Sequence, residues 1–401
     1  MGRDKRKTRL DKGGATGGDF VGFGAFAAPS TSLKASPVYT GSDSNLSLIF
    51  KRITQKRDAI TKARALHELQ AYFEEDHNRK DQVDAFSHLV FVYHSKLYYD
   101  DSASVRAAAL LCMKAACQRL PKAWSTLVVD QLPEVSGMMW CAQADPTAEV
   151  RAAASSPQPS ANGLIAHVSQ ILGYERPSAM YDALFARKQP TEIDRDEMDE
   201  RFERIVGTTL AGMELWVQQH SETQANLYGD SIKDNILWKT LTSSKSPLRR
   251  KTYSLLAMLC QHAKSLVYGS VGESTLPKVL TKALNQEKEA ANVPSLLEVV
   301  LLYLNNFPES PWDVMDAQLV SKNFGKLLKK ACHGASASQW GPTMLPLLAS
   351  FADNSLTIQR HLLTNMVSGI MTLQMIQVRH SHIYARCYWT VEWTRVGDRR
   401  K

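Results

Sequence analysis

A five-residue phrase occurs twice in this chain. Val105-Arg106-Ala107-Ala108-Ala109 returns as Val150-Arg151-Ala152-Ala153-Ala154, so that position 105 maps to 150 at a spacing of 45. Each copy follows an acidic, turn-like lead-in, Asp100-Asp101-Ser102 before the first and Asp145-Pro146-Thr147 before the second. Between the copies lie an apolar helical pattern, Pro121, a second helical pattern and Pro133. A unit of two short amphipathic helices cannot bury its apolar face alone and does so by stacking on a neighbouring unit. In this reading the acid or hydroxyl of the lead-in caps the helix start. Val105 and Val150 pack inward, and the small Ala residues let helices of adjacent units approach. Arg106 and Arg151 reach back to the acidic turn of their own or an adjacent unit.

Units of about 40–47 residues with two or three helices are of the HEAT/armadillo kind. Ser246-Pro247-Leu248-Arg249-Arg250-Lys251 gives a third turn, apolar residue and Arg, and Asp353 to Arg360 gives a fourth. Apolar residues recur at helical spacing elsewhere: Leu46, Ile49, Phe50 and Ile53; Ala63, Leu66, Leu69 and Phe73; Val83, Phe86, Leu89, Val90 and Tyr93; Phe202, Ile205, Leu210, Met213 and Trp216. No β-branched run with clean alternation precedes the last thirty residues, so the expectation is all-α: a HEAT/armadillo-like helical repeat superhelix with a disordered basic N-terminal tail. The boundaries expected are a tail over 1–45, a first array over 46–154, a linker and charged connection over 155–200, a second array over 201–378 and a divergent or truncated end over 379–401. Within the connection, residues 155–162 break the pattern and a weaker helical segment runs on to Phe185. The acidic run from Glu192 to Glu203 reads as a solvated helix start rather than a metal site.

Residues 1–45 are rich in Gly, Ser, Thr and Pro and bury too little to fold alone. The net charge is +8, and half of it lies in residues 1–18, where Arg3, Lys5, Arg6, Lys7, Arg9 and Lys12 stand against Asp4 and Asp11. Such a tail suits RNA phosphates, and equally it suits a solvated terminus. One apolar island interrupts it, Phe20-Val21-Gly22-Phe23-Gly24, followed by Phe26. Three aromatics in seven positions read as a docking peptide, or as a segment folded back on the first helices. The spacing fails the phosphate-loop pattern and no strand precedes it.

Little in the sequence speaks for catalysis. His67-Glu68 lacks the second His of a zinc-protease helix, and no nucleophile elbow, Walker loop or kinase signature occurs. The six cysteines include no C-x-x-C pair, so neither a zinc knuckle nor a redox motif is expected. His380, His382 and Cys387 make too small a donor set for zinc. No stretch reaches the ~20 apolar residues of a membrane span. The basic start lacks a secretory h-region, and Arg6 stands where myristoylation calls for Ser or Thr. These features together fit a reducing cytosolic or nuclear compartment.

Several stretches, in order, resemble the N-terminal part of the listerin family, the RING-type ubiquitin ligases of ribosome-associated quality control. They are the basic start on Met1-Gly2, F-V-G-F-G at 20–24, the helix F-K-R-I-T-Q-K-R-D-A-I-T-K-A-R-A-L-H-E-L at 50–69 and V-R-A-A-A at 105–109. M-M-W-C-A-Q-A-D at 138–145, R-F-E-R-I-V-G-T-T-L at 201–210, N-I-L-W-K at 235–239 and P-L-R-R-K-T-Y-S-L-L at 247–256 complete the set. The resemblance covers roughly Asp19 to Asn354. It implies a helical superhelix that holds the ligase on a 60S subunit carrying a stalled peptidyl-tRNA-linked chain, against rRNA and the partner that senses the exposed tRNA. It marks Phe20, Val21, Gly22, Phe23 and Gly24 with the basic residues Arg3, Lys5, Arg6, Lys7 and Arg9 as partner-binding, and assigns no catalytic residue.

In the family a C-terminal RING, holding zinc, recruits the ubiquitin-conjugating enzyme. Its eight-ligand Cys/His pattern is not among these 401 residues, so the expectation is a monomeric, cytosolic, ribosome-associated fragment or short form that holds no cofactor and cannot transfer ubiquitin by itself. The competing reading is a HEAT scaffold such as a transport receptor or a phosphatase regulatory subunit, which fold alone does not separate from the first.

Overall fold

The computed structural model describes residues 38–154, 161–174, 176–185, 195–220, 236–264 and 279–306. The tail motif 20–24, the basic residues Arg3 to Arg9, the fourth Arg turn at 353–360 and the end 379–401 lie outside them. All regular structure among the described residues is helical.

The chain runs through α1 (Ser44–Gln55), α2 (Ala59–Glu74), α3 (Arg79–Val92), α4 (Ala103–Arg119), α5 (Pro121–Trp124), α6 (Pro133–Cys141) and α7 (Ala148–Ala153). It continues with α8 (Ala161–Leu172), α9 (Pro177–Phe185), α10 (Arg195–Gln219), α11 (Ile236–Leu241) and α12 (Ser246–His262). Helix α13 (279–286) and α14 (Val293–Asn306) end the described part. Five-residue-spaced π turns extend α3 over Tyr93–Leu97 and α5 over Ser125–Gln131.

Local chemistry fixes the helix starts. The Asp43 carboxylate accepts from the Asn45 and Leu46 N–H groups at 2.7 and 3.3 Å, Asp58 from Thr61 at 2.8 Å, and Asn78 from Lys80 at 3.0 Å. Proline opens α5, α6 and α12, where its missing N–H is one the helix leaves unpaired in any case.

The helices stack as repeats require. Helix α2 packs on α4 and α4 on α7, α6 packs on α8, and α10, α12 and α14 follow one another. Their apolar stripes merge into one core, with Leu46, Leu66, Phe86, Val105, Met138, Val168, Leu210, Leu255 and Leu296 all fully buried. Stretch 155–200, expected as linker and charged connection, carries more structure than its Pro- and Ser-rich start implies. Leu164, Val168 and Ile171 of α8 are buried against α6, at a crossing that brings backbones together. A Cβ on Gly137 would meet the Gly163 carbonyl and the Leu164 backbone, and one on Gly163 would meet the Pro133 carbonyl. Only glycine allows that approach.

Candidate functional site

The most organised chemistry in the described residues lies in the turns that precede α4, α7, α12 and α14. At the first, the Asp100 carboxylate accepts from the Ser102 N–H at 3.0 Å. At the second, Asp145 does the same for Thr147 at 2.9 Å, and at the third the Ser243 hydroxyl accepts from the Lys245 N–H at 3.2 Å. Six residues after each of these lies an Arg whose Nη1 donates to two carbonyls of the turn. Arg106 reaches Asp100 and Asp101 at 2.8 and 2.9 Å, Arg151 reaches Asp145 and Pro146 at 2.7 and 2.8 Å, and Arg249 reaches Ser243 and Ser244 at 2.9 and 3.3 Å. Of the acid or hydroxyl expected to tie the helix start, the acid does so, and the Ser102 and Thr147 hydroxyls make no capping bond. The Ser102 hydroxyl meets that of Ser104 at 2.9 Å, and Thr147 Oγ1 accepts from Arg106 Nη2 at 3.5 Å.

The rest of the guanidinium faces the next unit. Arg106 Nε and Nη2 fork onto the two Asp145 oxygens, each at 3.1 Å. Arg249 forks onto Glu287 at 2.9 and 2.7 Å. Lys62 of α2 makes the simpler version, a single contact of 2.6 Å to Asp100. One acid therefore holds its own turn and receives the preceding unit, a planar fork on carboxylate being the strong form of this contact.

Other cations reinforce the joints. Arg204 of α10 donates to the Tyr99 and Asp100 carbonyls at 3.0 and 3.2 Å, and Arg201 pairs with Asp101. Burial, with Arg106 as a like-charged neighbour, draws the Arg204 guanidinium down to about 10, still charged at neutral pH. Lys245 bridges to Asp199 at 2.7 Å and Glu203 at 3.2 Å, so two acids of the run at 192–203 serve the contact between α10 and α12. Lys251 donates to the Gly207 carbonyl at 2.9 Å, and Arg250 to Asn292 at 3.0 Å.

Val105, Val150 and Leu248 are buried beside their arginines. Sequence reasoning missed Lys62, Arg204, Glu287 and Asn292. The signal that finds the first and third is a cation 38 residues before a turn acid, 62 to 100 and 249 to 287, the same arithmetic that places Arg106 39 before Asp145.

This arrangement binds and braces; it has no reacting centre. His167 is fully buried beside Tyr98 and Thr209, and burial, with His94 adding to it, pulls its imidazole down to about 3. Burial pulls His88 down to about 4 among Tyr39 and Phe50. Both rings are neutral core residues at ordinary pH. Burial raises the thiols of the described cysteines 112, 117, 141 and 260, that of Cys260 to about 12. Among the described residues no three His, Cys, Asp or Glu side chains converge as a metal ion would require. No helix among them is long and apolar enough to cross a membrane.

Two solved structures of engineered proteins align with this chain. One aligns at 14% identity over 82% of this chain and 98% of its own, with a TM-score of 0.21. The other aligns at 14% over 85% and 86%, with a TM-score of 0.30, and neither overlay carries an argument. No curated protein matches the chain. The sequence profile of the N-terminal domain of the E3 ubiquitin-protein ligase listerin matches residues 41–351. That span takes in all three Arg turns and the stacked helices they join, and the chain belongs to the listerin family of E3 ubiquitin-protein ligases, as its N-terminal domain.

Proposed function

We propose that this chain is the ribosome- and partner-binding arm of its ligase, acting on 60S subunits that carry a stalled, peptidyl-tRNA-linked nascent chain. The observation that carries the reading is the match to the listerin N-terminal domain over 41–351. The braced turns support it, because an arm that positions a distant catalytic module has to keep its units in fixed orientation. Six cations of the first eighteen residues supply charge for rRNA phosphates. Phe20, Val21, Gly22, Phe23 and Gly24 supply the contact to the tRNA-sensing partner. The arm works as a cytosolic monomer and binds no cofactor. Ubiquitin transfer belongs to a zinc-holding RING elsewhere in the ligase, which alone meets the conjugating enzyme.

The test is co-sedimentation of the 401-residue chain with 60S–peptidyl-tRNA complexes, with and without the tRNA-sensing partner. Phe20→Ala with Phe23→Ala should leave the melting temperature within a degree or so and reduce recovery several-fold. Intact recovery with a large loss of thermal stability would make the motif an internal staple and defeat the assignment.

A further inference from the structure

Helices α1 and α2 form a hairpin whose outer side is exposed, with none of the described residues covering it. On α1 the exposed residues Ser44, Leu48, Lys51 and Gln55 succeed one another at helical spacing, and on α2 Ile60, Arg64 and His67 do so. The turn between them adds exposed Lys56 and Arg57. Leu48 is 58% exposed and Ile60 71%. A single exposed aliphatic side chain calls for no explanation. Two on one hairpin, set amid cations that make no salt bridge among the described residues, do.

The charges are the stronger observation. Among the described residues Lys51, Lys56, Arg57 and Arg64 make no salt bridge. The two nearby acids are committed elsewhere: Asp58 accepts from the Thr61 N–H and hydroxyl at 2.8 and 2.6 Å, and Glu68 is forked by Arg52. Lys56 and Arg57 follow the C-terminal end of α1, where the helix dipole accounts for part of their placement, and Arg64 lies beyond the first turn of α2. Lys62, in the same turns, is accounted for by Asp100; Arg64 acts on Asp58 through its charge alone, and among the described residues Lys51, Lys56 and Arg57 have no ion-pair partner.

We propose that the α1–α2 hairpin is a docking surface for an acidic amphipathic segment of a partner protein. Glutamate or aspartate side chains meet Lys51, Lys56, Arg57 and Arg64, and spaced aliphatic side chains cover Ile60 and Leu48. Charge complementarity names an acidic occupant, and the apolar pair selects protein over nucleic acid. Phosphates would satisfy the cations yet leave Ile60 and Leu48 in water, whereas a peptide with aliphatic side chains removes that apolar surface from water. The surface is separate from the rRNA contact proposed for the tail, so either assignment can fail without the other.

The test uses the 401-residue chain and fluorescence anisotropy with a synthetic acidic helical peptide that carries leucines on one face. Controls are the same composition with the leucines scattered, and a polyuridine of equal charge. Saturable binding should weaken at least tenfold with Ile60→Ser, and again with Lys56→Glu plus Arg57→Glu, at unchanged melting temperature. Should Ile60→Ser disturb folding, Leu48→Ser on the other helix carries the same expectation of weakened binding. Equal binding of the scattered peptide, full competition by polyuridine, or indifference to both aliphatic variants would overturn the proposal. So would a dimer in sedimentation equilibrium that Ile60→Ser dissolves, since the occupant would then be a second copy.

Discussion

The same pentapeptide starts α4 and α7, yet the two regions differ in what the Arg is tied to. Arg106 is 4% exposed, and its partner Asp145 is 3% exposed. The guanidinium makes its two own-turn bonds and a fork to the next unit. Among the described residues Arg151 makes the own-turn bonds alone, and it stays exposed; the positions 38 and 39 residues further on are Gln189 and Pro190, neither of them a carboxylate. Helix α4 has 17 residues and α7 has 6. The Arg is thus a two-part device. The own-turn half travels with the local sequence, while the inter-unit half exists only where the next turn supplies an acid. The turn before α12 shows both halves again with Glu287 in the acid's place, and there Tyr253 adds a third donor at 2.8 Å. Six residues past Glu287 stands Val293 rather than Arg, so the turn before α14 lacks the own-turn half.

The difference yields an ordered set of expectations. Arg106→Ala strands a buried carboxylate and should destabilise by ~3–5 kcal/mol in denaturant unfolding. Arg151→Ala removes two hydrogen bonds to carbonyls near water and should cost ~1 kcal/mol or less. Equal midpoint shifts for the two variants would mean that the fork to Asp145 contributes nothing and that the two regions are alike.

The Glu287 joint extends the comparison to acid pH. Burial by itself would raise this carboxyl, but the Arg249 fork, the Glu289 N–H and the Tyr253 hydroxyl outweigh it and hold the group down to about 2. The folded value lies below the ordinary value of ~4.3, so the stabilisation is present above that range and is lost as pH falls through it toward about 2. Glu287→Gln should destabilise at neutral pH by ~2 kcal/mol and flatten the dependence of melting temperature on pH between about 5 and 2.5. An unchanged acid slope would remove Glu287 from the account.

Gly137→Ala probes a joint made without charge. The added methyl has backbone, not a mobile side chain, in its way, so a loss of ~1–3 kcal/mol is expected. A neutral result would show that α6 and α8 can slide apart, and that the close crossing is incidental.

Much of this was legible in the chain. The repeat period, the buried Val105, Val150 and Leu248, and the reach of Arg106 into an adjacent turn follow from spacing and side-chain length. What was not legible depends on pairing across units. Nothing local distinguishes Arg106 from Arg151, because the distinction lies 38–39 residues downstream. The lead-in offered an acid or a hydroxyl to tie the helix start; Asp100 and Asp145 take that role, and sequence does not reveal which of two neighbouring acceptors wins. Helices α8 and α9 fall in the weaker helical segment read up to Phe185, but the apolar pattern there does not reveal that α8 buries its face against α6. The aromatic tail motif was conspicuous by composition, and its role rests on binding experiments.

The claim that matters most is that this domain holds its ligase on an RNA surface. It is tested by the affinity of the 401-residue chain for 60S–peptidyl-tRNA complexes, measured between about 50 and 200 mM salt. Replacing Arg3, Lys5, Arg6, Lys7, Arg9 and Lys12 by Gln provides the paired measurement. The account predicts an affinity that falls steeply and linearly on logarithmic axes, with a slope reduced by several units in the Gln variant. An affinity indifferent to salt, or a slope the same in both chains, would contradict it.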